Sequence, residues 1–413
     1  MVSYQKYTLE NGLTLLVHVD KNTPIAAVNA LYDVGARDES SDKTGFAHLF
    51  EHLMFGGSRN IPNYDSPLQQ VGGQNNAFTN NDITNYYITL PKANIETAFW
   101  LESDRMLSLA FTPESLEVQR KVVVEEFRQQ YLNQPYGDLW LHLRPLAYKT
   151  HPYQWPTIGK VISHIEEATM TDVKDFFSRH YHPANAILSV GGNVDPDQIF
   201  DRVNHWFGDI PKKEKFKRNL PEEPFQSEHR LTTLQRDVPQ DALHLVWHMP
   251  GRTHPDYSAA DMLSDILSLG NSARLTQALL KQNPAFTSLN LYVLGSRDPG
   301  LMVCSGMLSA GVSHEEARNL VLAEIEKLLD EGPTSRELEK VKNRCEMNHI
   351  LPETSVLSKT MNLAYHEWLG DANGINTVLE DYRKVTAGDV VRVGKEIFNM
   401  SNMSELRYQK NQD

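Results

Sequence analysis

Cysteine is nearly absent from this sequence, since Cys304 and Cys345 are the only two among its 413 residues. Two widely separated thiols argue against a disulfide framework and against a zinc site built from thiolates. No apolar run approaches the ~20 residues of a membrane-spanning helix, and the first residues lack the apolar segment of a signal peptide. We therefore expect a cytoplasmic protein with no membrane partner, or a periplasmic one if an export signal has been removed.

Basic residues are in deficit as well: 40 Lys and Arg stand against 53 Asp and Glu, which gives a formal net charge of −13. We expect no nucleic-acid partner, because phosphate binding requires a basic face. Contents of 40% hydrophobic and 23% charged residues are typical of a globular protein. The length leaves room for two domains of ordinary size.

Small and apolar residues fill the segment 45–57, which predicts one buried helix. Asp42 and Thr44 precede it as candidate N-caps, and Gly56 with Gly57 marks its end. This helix is the segment around which the functional interpretation is built, because it also carries polar side chains.

Two histidines and a glutamate interrupt the apolar helix. His48 and His52 stand four residues apart, so their rings share one helical face and can bind one metal, with Glu51 beside them. Burial of these groups costs several kcal/mol unless a cation compensates. The order H-x-x-E-H is the inverted counterpart of the H-E-x-x-H zinc motif. It predicts His48 and His52 as zinc ligands and Glu51 as the base that deprotonates a zinc-bound water.

This five-residue pattern has an alternative interpretation of equal weight, in which two core histidines lie near a glutamate by chance. A third ligand would favour the metal site. The helix predicted from Glu114 to about Leu132 is rich in valine, and Glu126 emerges from it on the same face as Gln119. Glu126 is therefore the candidate third ligand, and Glu125 is the second choice.

A polar segment, Asn76, Ala77, Phe78 and Thr79, precedes a strand predicted at residues 84–90. The pattern is consistent with an exposed sheet edge, whose backbone groups could pair with an extended peptide. An ordinary polar hairpin is the alternative.

Together these segments resemble the inverted-motif zinc peptidases, the family of pitrilysin, insulinase and the mitochondrial processing peptidase. The similarity extends to residues 151–159 and 181–185. It implies a zinc metalloendopeptidase with the zinc ligands His48, His52 and Glu126. It also implies a substrate-binding edge at residues 76–79. Gln119 stands where the family usually has a glutamate behind the ligands, which predicts weaker metal binding.

The fold that the resemblance implies is α+β, with two homologous domains that each contain a mainly antiparallel sheet packed with helices. We predict a zinc-binding catalytic domain at 1–210, a charged linker rich in proline at 211–227, and a homologous domain without a metal site at 228–413. In the second half, a strand at 243–248 and a helix at 259–272 repeat the pattern that leads into the zinc motif.

The second half departs from the family pattern at the residues that polarise the scissile carbonyl. The family carries an Arg and a Tyr there, whereas the matching segment of this chain has Phe286 at the Tyr position and no Arg before it. The resemblance then implies the metal-bearing chain of a two-chain site, with a partner chain supplying Arg and Tyr. The alternative is a self-sufficient enzyme that uses Lys281 or Tyr292, with a homodimer in place of the two-chain heterodimer.

Two functional classes follow from these patterns. The first is a zinc-dependent endopeptidase that hydrolyses peptides bound as an added β-strand. The second is a non-catalytic structural or assembly subunit of a peptidase-like complex. Residues 408–413, at the end of the chain, are expected to fray.

Overall fold

Two β-sheets, each within its own structural unit, organise the fold, and the computed structural model describes residues 1–411. Unit 1 is made of Met1–Gln129, Trp155–Pro221 and Ile350–Thr377. Unit 2 is made of Gln130–Gln154, Glu222–His349 and the chain from Val378 onward. The α+β class predicted from the sequence is confirmed.

The strands form where apolar and β-branched residues alternate or run together. In chain order they are β1 (Gln5–Thr8), β2 (Thr14–Val19), β3 (Ile25–Tyr32), β4 (Gln74–Thr79), β5 (Thr84–Pro91), β6 (Ala186–Gly192), β7 (Arg230–Arg236), β8 (Ala242–Met249), β9 (Phe286–Leu294), β10 (Gly300–Leu308) and β11 (Met403–Lys410). β3 is buried at every position after its first residue, as expected of a central strand that is covered on both faces.

The helices pack against these sheets, and none within residues 1–411 is both long and apolar enough to cross a membrane. They are α1 (Phe46–Leu53), α2 (Asp65–Gln70), α3 (Ile95–Leu107), α4 (Pro113–Phe127), α5 (Leu139–Ala147), α6 (Ser163–Glu166), α7 (Met170–His180), α8 (Pro196–Phe207), α9 (Tyr257–Ser268), α10 (His314–Glu331), α11 (Ser335–Ile350), α12 (Val356–Leu369), α13 (Gly374–Lys384) and α14 (Ala387–Ile397).

The two sheets have the same topology. Their strand orders are β1-β2-β6-β3-β5-β4 and β7-β11-β8-β10-β9. If the extra edge strand β1 is omitted, each sheet has five strands. Numbered in chain order within its own sheet, the strands of both sheets lie in the order first, fifth, second, fourth, third. In both sheets the first and last strands pair in parallel and every other pair is antiparallel. This shared order confirms the internal repeat.

The repeat also relates α1 to α9, because each helix follows the second strand of this shared order. In α9, Met262 and Ile266 have the four-residue spacing of His48 and His52, and both are fully buried in the apolar core of unit 2. Asp265 lies between them, half-buried, and burial raises its pKa to about 6. The second copy thus uses this helix for packing.

The units do not follow the single boundary predicted at 211–227. Residues 211–229 form neither helix nor strand, as expected of a linker. However, the guanidinium of Arg218 bonds the carboxylates of Asp33 and Asp38, so this part of the segment is fastened to unit 1. In addition, residues 130–154 belong to unit 2 and residues 350–377 to unit 1.

The expectation that residues 408–413 fray is wrong as far as Lys410. β11 lies between β7 and β8 inside the second sheet, and Tyr408 is fully buried there. Pairing on both edges fixes this strand. Gln412 and Asp413 lie outside the described residues.

Candidate metal centre

The helix α1 forms where the sequence predicts, because its apolar side faces the core. Phe46, Leu49 and Phe50 are buried, whereas His48 and His52 retain 15% and 24% of their side-chain exposure. The 3.6-residue period therefore sets both imidazoles on one accessible face. The candidate caps do not act as predicted, since Gly45 occupies the N-cap position in a left-handed conformation with φ of 88°.

The helix α4 begins at a conventional signal: Thr112 accepts a hydrogen bond from the Ser115 N–H, and Pro113 fills the first helical position. It packs against α1. Near its end Glu126 is 29% exposed, whereas Glu125 is 55% exposed and contacts Arg128. The geometry thus turns Glu126 toward α1 and Glu125 toward solvent.

His48, His52 and Glu126 bring three ligand atoms together. The two Nε2 atoms lie 3.4 Å apart, and each lies 3.6 Å from Oε2 of Glu126. A tetrahedral zinc site with bonds of about 2.0–2.1 Å has ligand atoms about 3.4 Å apart, so the donor set and its spacing fit zinc. Within residues 1–411 these three side chains are the only such group of metal-binding residues.

The surroundings keep His48 in the form that binds metals. Burial lowers its pKa to about 4, and this effect outweighs the opposing influence of the Glu126 carboxylate. The imidazole is therefore neutral near pH 7, which leaves a lone pair free for a cation.

Glu51 lies beside His48, His52 and Glu126 and is not one of these three candidate ligands. Its carboxylate receives hydrogen bonds from the hydroxyl and the backbone N–H of Thr79, which hold it next to the end of β4. Burial raises its pKa despite these bonds. An oriented carboxylate with a raised pKa has the properties of a general base.

The segment 76–79 lies on β4, which is the edge strand of the first sheet. The N–H of Ala77 bonds the side chain of Asn76, and the N–H of Thr79 bonds Glu51, so neither pairs with β5. Both therefore point outward from the edge. Phe78 is 38% exposed. The structure places this edge next to Glu51, as the predicted substrate strand requires.

Gln119 is half-buried seven residues before Glu126. The two lie on the same face of α4 by helical geometry. Its side-chain nitrogen reaches toward Gly56, at the far end of α1. Its role behind the ligands, and the weaker metal binding that its lack of charge would cause, stay predictions.

The segment that matches the position of the family's Arg and Tyr has a structural role in unit 2. Phe286 is 2% exposed and belongs to the apolar core. Lys281 bonds the carbonyl of Asn271, and Tyr292 is packed against a second apolar cluster. Phe286 thus presents no hydrogen-bond donor, and the structure ties both substitute residues to neighbours within their own unit.

The sequence patterns do not predict one residue beside the site, Glu39. Glu39 is buried and accepts hydrogen bonds from the backbone of α1 and from Trp155. The only signal in the sequence was the family similarity at residues 151–159, the segment that contains Trp155. Glu39 itself lies six residues before the N-cap residue Gly45, beyond the range of the usual capping patterns.

Comparisons with known proteins agree with this arrangement. The family model for insulinase (peptidase family M16) matches residues 15–160, and the model for the peptidase M16 inactive domain matches residues 167–345. The zinc protease PqqE of Helicobacter pylori is 29% identical over 409 residues, covering 96% of this chain and 90% of that protein.

Two further relatives extend the comparison. Mitochondrial-processing peptidase subunit beta of Saccharomyces cerevisiae is 29% identical over 209 residues, covering 50% of this chain and 45% of that protein. The crystal structure of a protease from Helicobacter pylori superimposes with a TM-score of 0.92 at 28% identity, covering 99% of this chain and 100% of that one.

Proposed function

Because this chain belongs to the insulinase family of zinc peptidases, peptidase family M16, we propose that it is a zinc-dependent endopeptidase. The observation that supports this most strongly is the spacing of 3.4 to 3.6 Å among the ligand atoms of His48, His52 and Glu126. Packing alone gives no reason to gather two imidazoles and a carboxylate on adjoining helices.

The chain's own residues divide the chemistry among them. Zinc, when bound, would supply a Lewis acid that polarises water and the peptide carbonyl. His48, His52 and Glu126 would hold it. Glu51 accepts the proton of the attacking water and, once protonated, can pass it to the leaving amine. The hydrogen bonds from Thr79 keep this carboxylate in place during both transfers.

Substrate would bind as an extended strand along β4. Ala77 and Thr79 present outward backbone groups, while the side chains of Asn76 and Phe78 flank them on the accessible edge. Strand addition recognises backbone, so the enzyme would accept many sequences in extended form. The scissile bond would lie near Thr79, because Thr79 touches Glu51.

Replacement of the base tests this proposal. We expect Glu51→Gln to retain one zinc per chain by metal analysis and to lose at least about 100-fold in kcat on a quenched peptide substrate. Chelation should abolish cleavage by the unaltered protein, and zinc should restore it. Undiminished cleavage by the variant would refute Glu51 as the base. A zinc-free, inert protein would favour the non-catalytic subunit.

We further infer that the chain is the metal-bearing member of a two-chain site. The buried Phe286 supports this, since it offers no hydroxyl to the substrate, and the yeast relative is itself named as a subunit. The pure chain should cleave peptides poorly. Activity should rise on mixing with a family member that has the Arg and Tyr but lacks the zinc motif. Full activity of the pure chain, as a homodimer, would overturn this arrangement.

A further inference from the structure

Glu39 is a buried carboxylate that the proposed mechanism does not use. It is 7% exposed. Its Oε1 accepts the Ala47 N–H at 2.8 Å, and its Oε2 accepts the Gly45 N–H at 2.9 Å and the Trp155 indole N–H at 3.0 Å. Three donors converge on one carboxylate, and two of them belong to the beginning of α1.

These bonds act on the part of α1 that is least stable by itself. The first N–H groups of a helix have no partner within it, and helix ends fray when such groups are left unsatisfied. α1 has only eight residues, and His48 is the third of them. A metal ligand in the first turn of a two-turn helix needs an external restraint to keep its ring in register with His52 and Glu126.

The backbone around Gly45 leaves little room for a different capping arrangement. Gly45 has φ of 88°, and a Cβ there would lie 2.6 Å from the carbonyl oxygen of Ile158. A side-chain cap at the position itself is therefore excluded. Ile158, which contacts Gly45, lies three residues after Trp155. The same segment therefore restricts the space at Gly45 and supplies the third donor to Glu39.

We propose that Glu39 is a positioning residue of the metal centre, whose carboxylate fixes the first turn of α1 and thereby the placement of His48. The inference rests on the proposed function in one respect, namely that His48 and His52 bind zinc. Glu39 does not touch the metal or the substrate. It acts through the backbone of Gly45 and Ala47.

Zinc affinity, measured on the metal-free protein by competition with a chromophoric chelator, tests this role. Glu39→Gln should bind zinc about tenfold more weakly, because an amide keeps the shape but cannot accept from all three donors. Trp155→Phe removes the indole donor and keeps an aromatic ring, so we expect a smaller loss in the same direction. This variant decides the question if Glu39→Gln does not fold.

The matched control is Glu405→Gln. Glu405 is a fully buried carboxylate in β11 of unit 2, where it pairs with Arg407 and Arg318. The control should lower thermal stability yet leave zinc affinity within twofold of the unaltered protein. Equal zinc affinity in the unaltered and Glu39→Gln proteins would overturn the role of Glu39. Failure of the unaltered protein to bind zinc would instead contradict the proposed function.

Discussion

Two adjacent glutamates near the end of α4, Glu126 and Glu125, differ in orientation: one faces the candidate metal centre and the other faces solvent. Glu126 has an oxygen 3.6 Å from both imidazoles, whereas Glu125 accepts from the amide of Gln129 at 3.1 Å and is mostly exposed. A step of 100° around the helix accounts for the difference. Sequence pattern alone ranked Glu126 only slightly ahead.

This pair allows a matched test of the third ligand. Glu126→Gln should weaken zinc binding at least tenfold, since it replaces an anionic ligand, while Glu125→Gln should stay within twofold of the unaltered protein. Both changes remove one negative charge from the same helix. The effect of net charge on zinc affinity is therefore similar in the two variants, and the difference between them reports the loss of a ligand. Similar zinc affinities for the two variants would argue against Glu126 as a ligand.

His180 is a buried titratable group that the proposed mechanism does not use. It is fully buried, and within residues 1–411 neither ring nitrogen has a hydrogen-bond partner. Burial lowers its pKa to about 3, and the charges of Arg179 and Arg218 act in the same direction, against Asp33. Between these two pKa values, His180 binds a proton in the unfolded chain, where its pKa is near 6.5, but not in the folded chain.

The stability of the fold should accordingly fall as pH falls from 6.5 toward 3. From pH 7 to pH 5, His180 should cost about 2 kcal/mol of the free energy of unfolding. His180→Phe, whose ring would meet Phe176 and Phe216, should remove this part of the pH dependence. Urea unfolding at pH 7 and at pH 5 measures the change in the free energy of unfolding between the two pH values. This change can be compared between the two proteins even if their absolute stabilities differ. If the substitution left this pH dependence unchanged, His180 would have the same pKa in the folded and unfolded chains, which would contradict the prediction.

At the scale of single elements, β4 is the strand whose exposed edge the proposed function requires. The outward direction of the Ala77 N–H makes proline tolerable there, because proline is accepted on edge strands where its missing N–H faces solvent. A peptide bound along the edge would lose one hydrogen bond, worth about 1 kcal/mol.

Ala77→Pro should therefore raise KM about fivefold with kcat little changed, a factor that corresponds to about 1 kcal/mol. Ala77→Gly is the control, since it also changes the side chain at this position but retains the N–H, and its KM should stay near that of the unaltered protein. Thermal unfolding confirms that both variants are folded. A KM for the proline variant equal to that of the control would exclude peptide pairing at Ala77.

The elements also show what the sequence could and could not predict. β3 and the zinc-motif helix were predictable because periodicity and turn residues are local signals, and the same periods brought His48 and His52 to one face. α12 was not predicted because its contacts are made with strands far away in the sequence. Glu39 was missed because its bonds to Gly45 and Ala47 fall outside the usual capping spacings and its third donor, Trp155, is distant in the sequence. Trp368 of α12 donates to the carboxylate of Asp33, 335 residues away.

In the molecule as a whole, unit 1 is completed by residues that come near the end of the sequence. Residues 350–377 return to unit 1, where Leu363 packs with Leu16, and Ala364 and Trp368 pack with Leu31. The approach is close: a Cβ on Gly191 of β6 would lie 2.2 Å from the hydroxyl of Thr360. The sheet that supports the candidate metal centre is thus covered by a helix that lies far beyond it in the sequence.

A fragment that ends in the irregular segment, 1–221, should therefore fail to fold alone, because it would expose the buried sheet face that includes Leu16 and Leu31 to water. We expect it to aggregate on expression, whereas co-expression with a second fragment, 222–413, should yield a soluble complex because that fragment supplies α12. Size-exclusion chromatography and urea unfolding distinguish these outcomes. A monomeric 1–221 fragment with a cooperative unfolding transition would show that unit 1 is complete without the returning helix, and that α12 adds to the stability of the first sheet without being required for it.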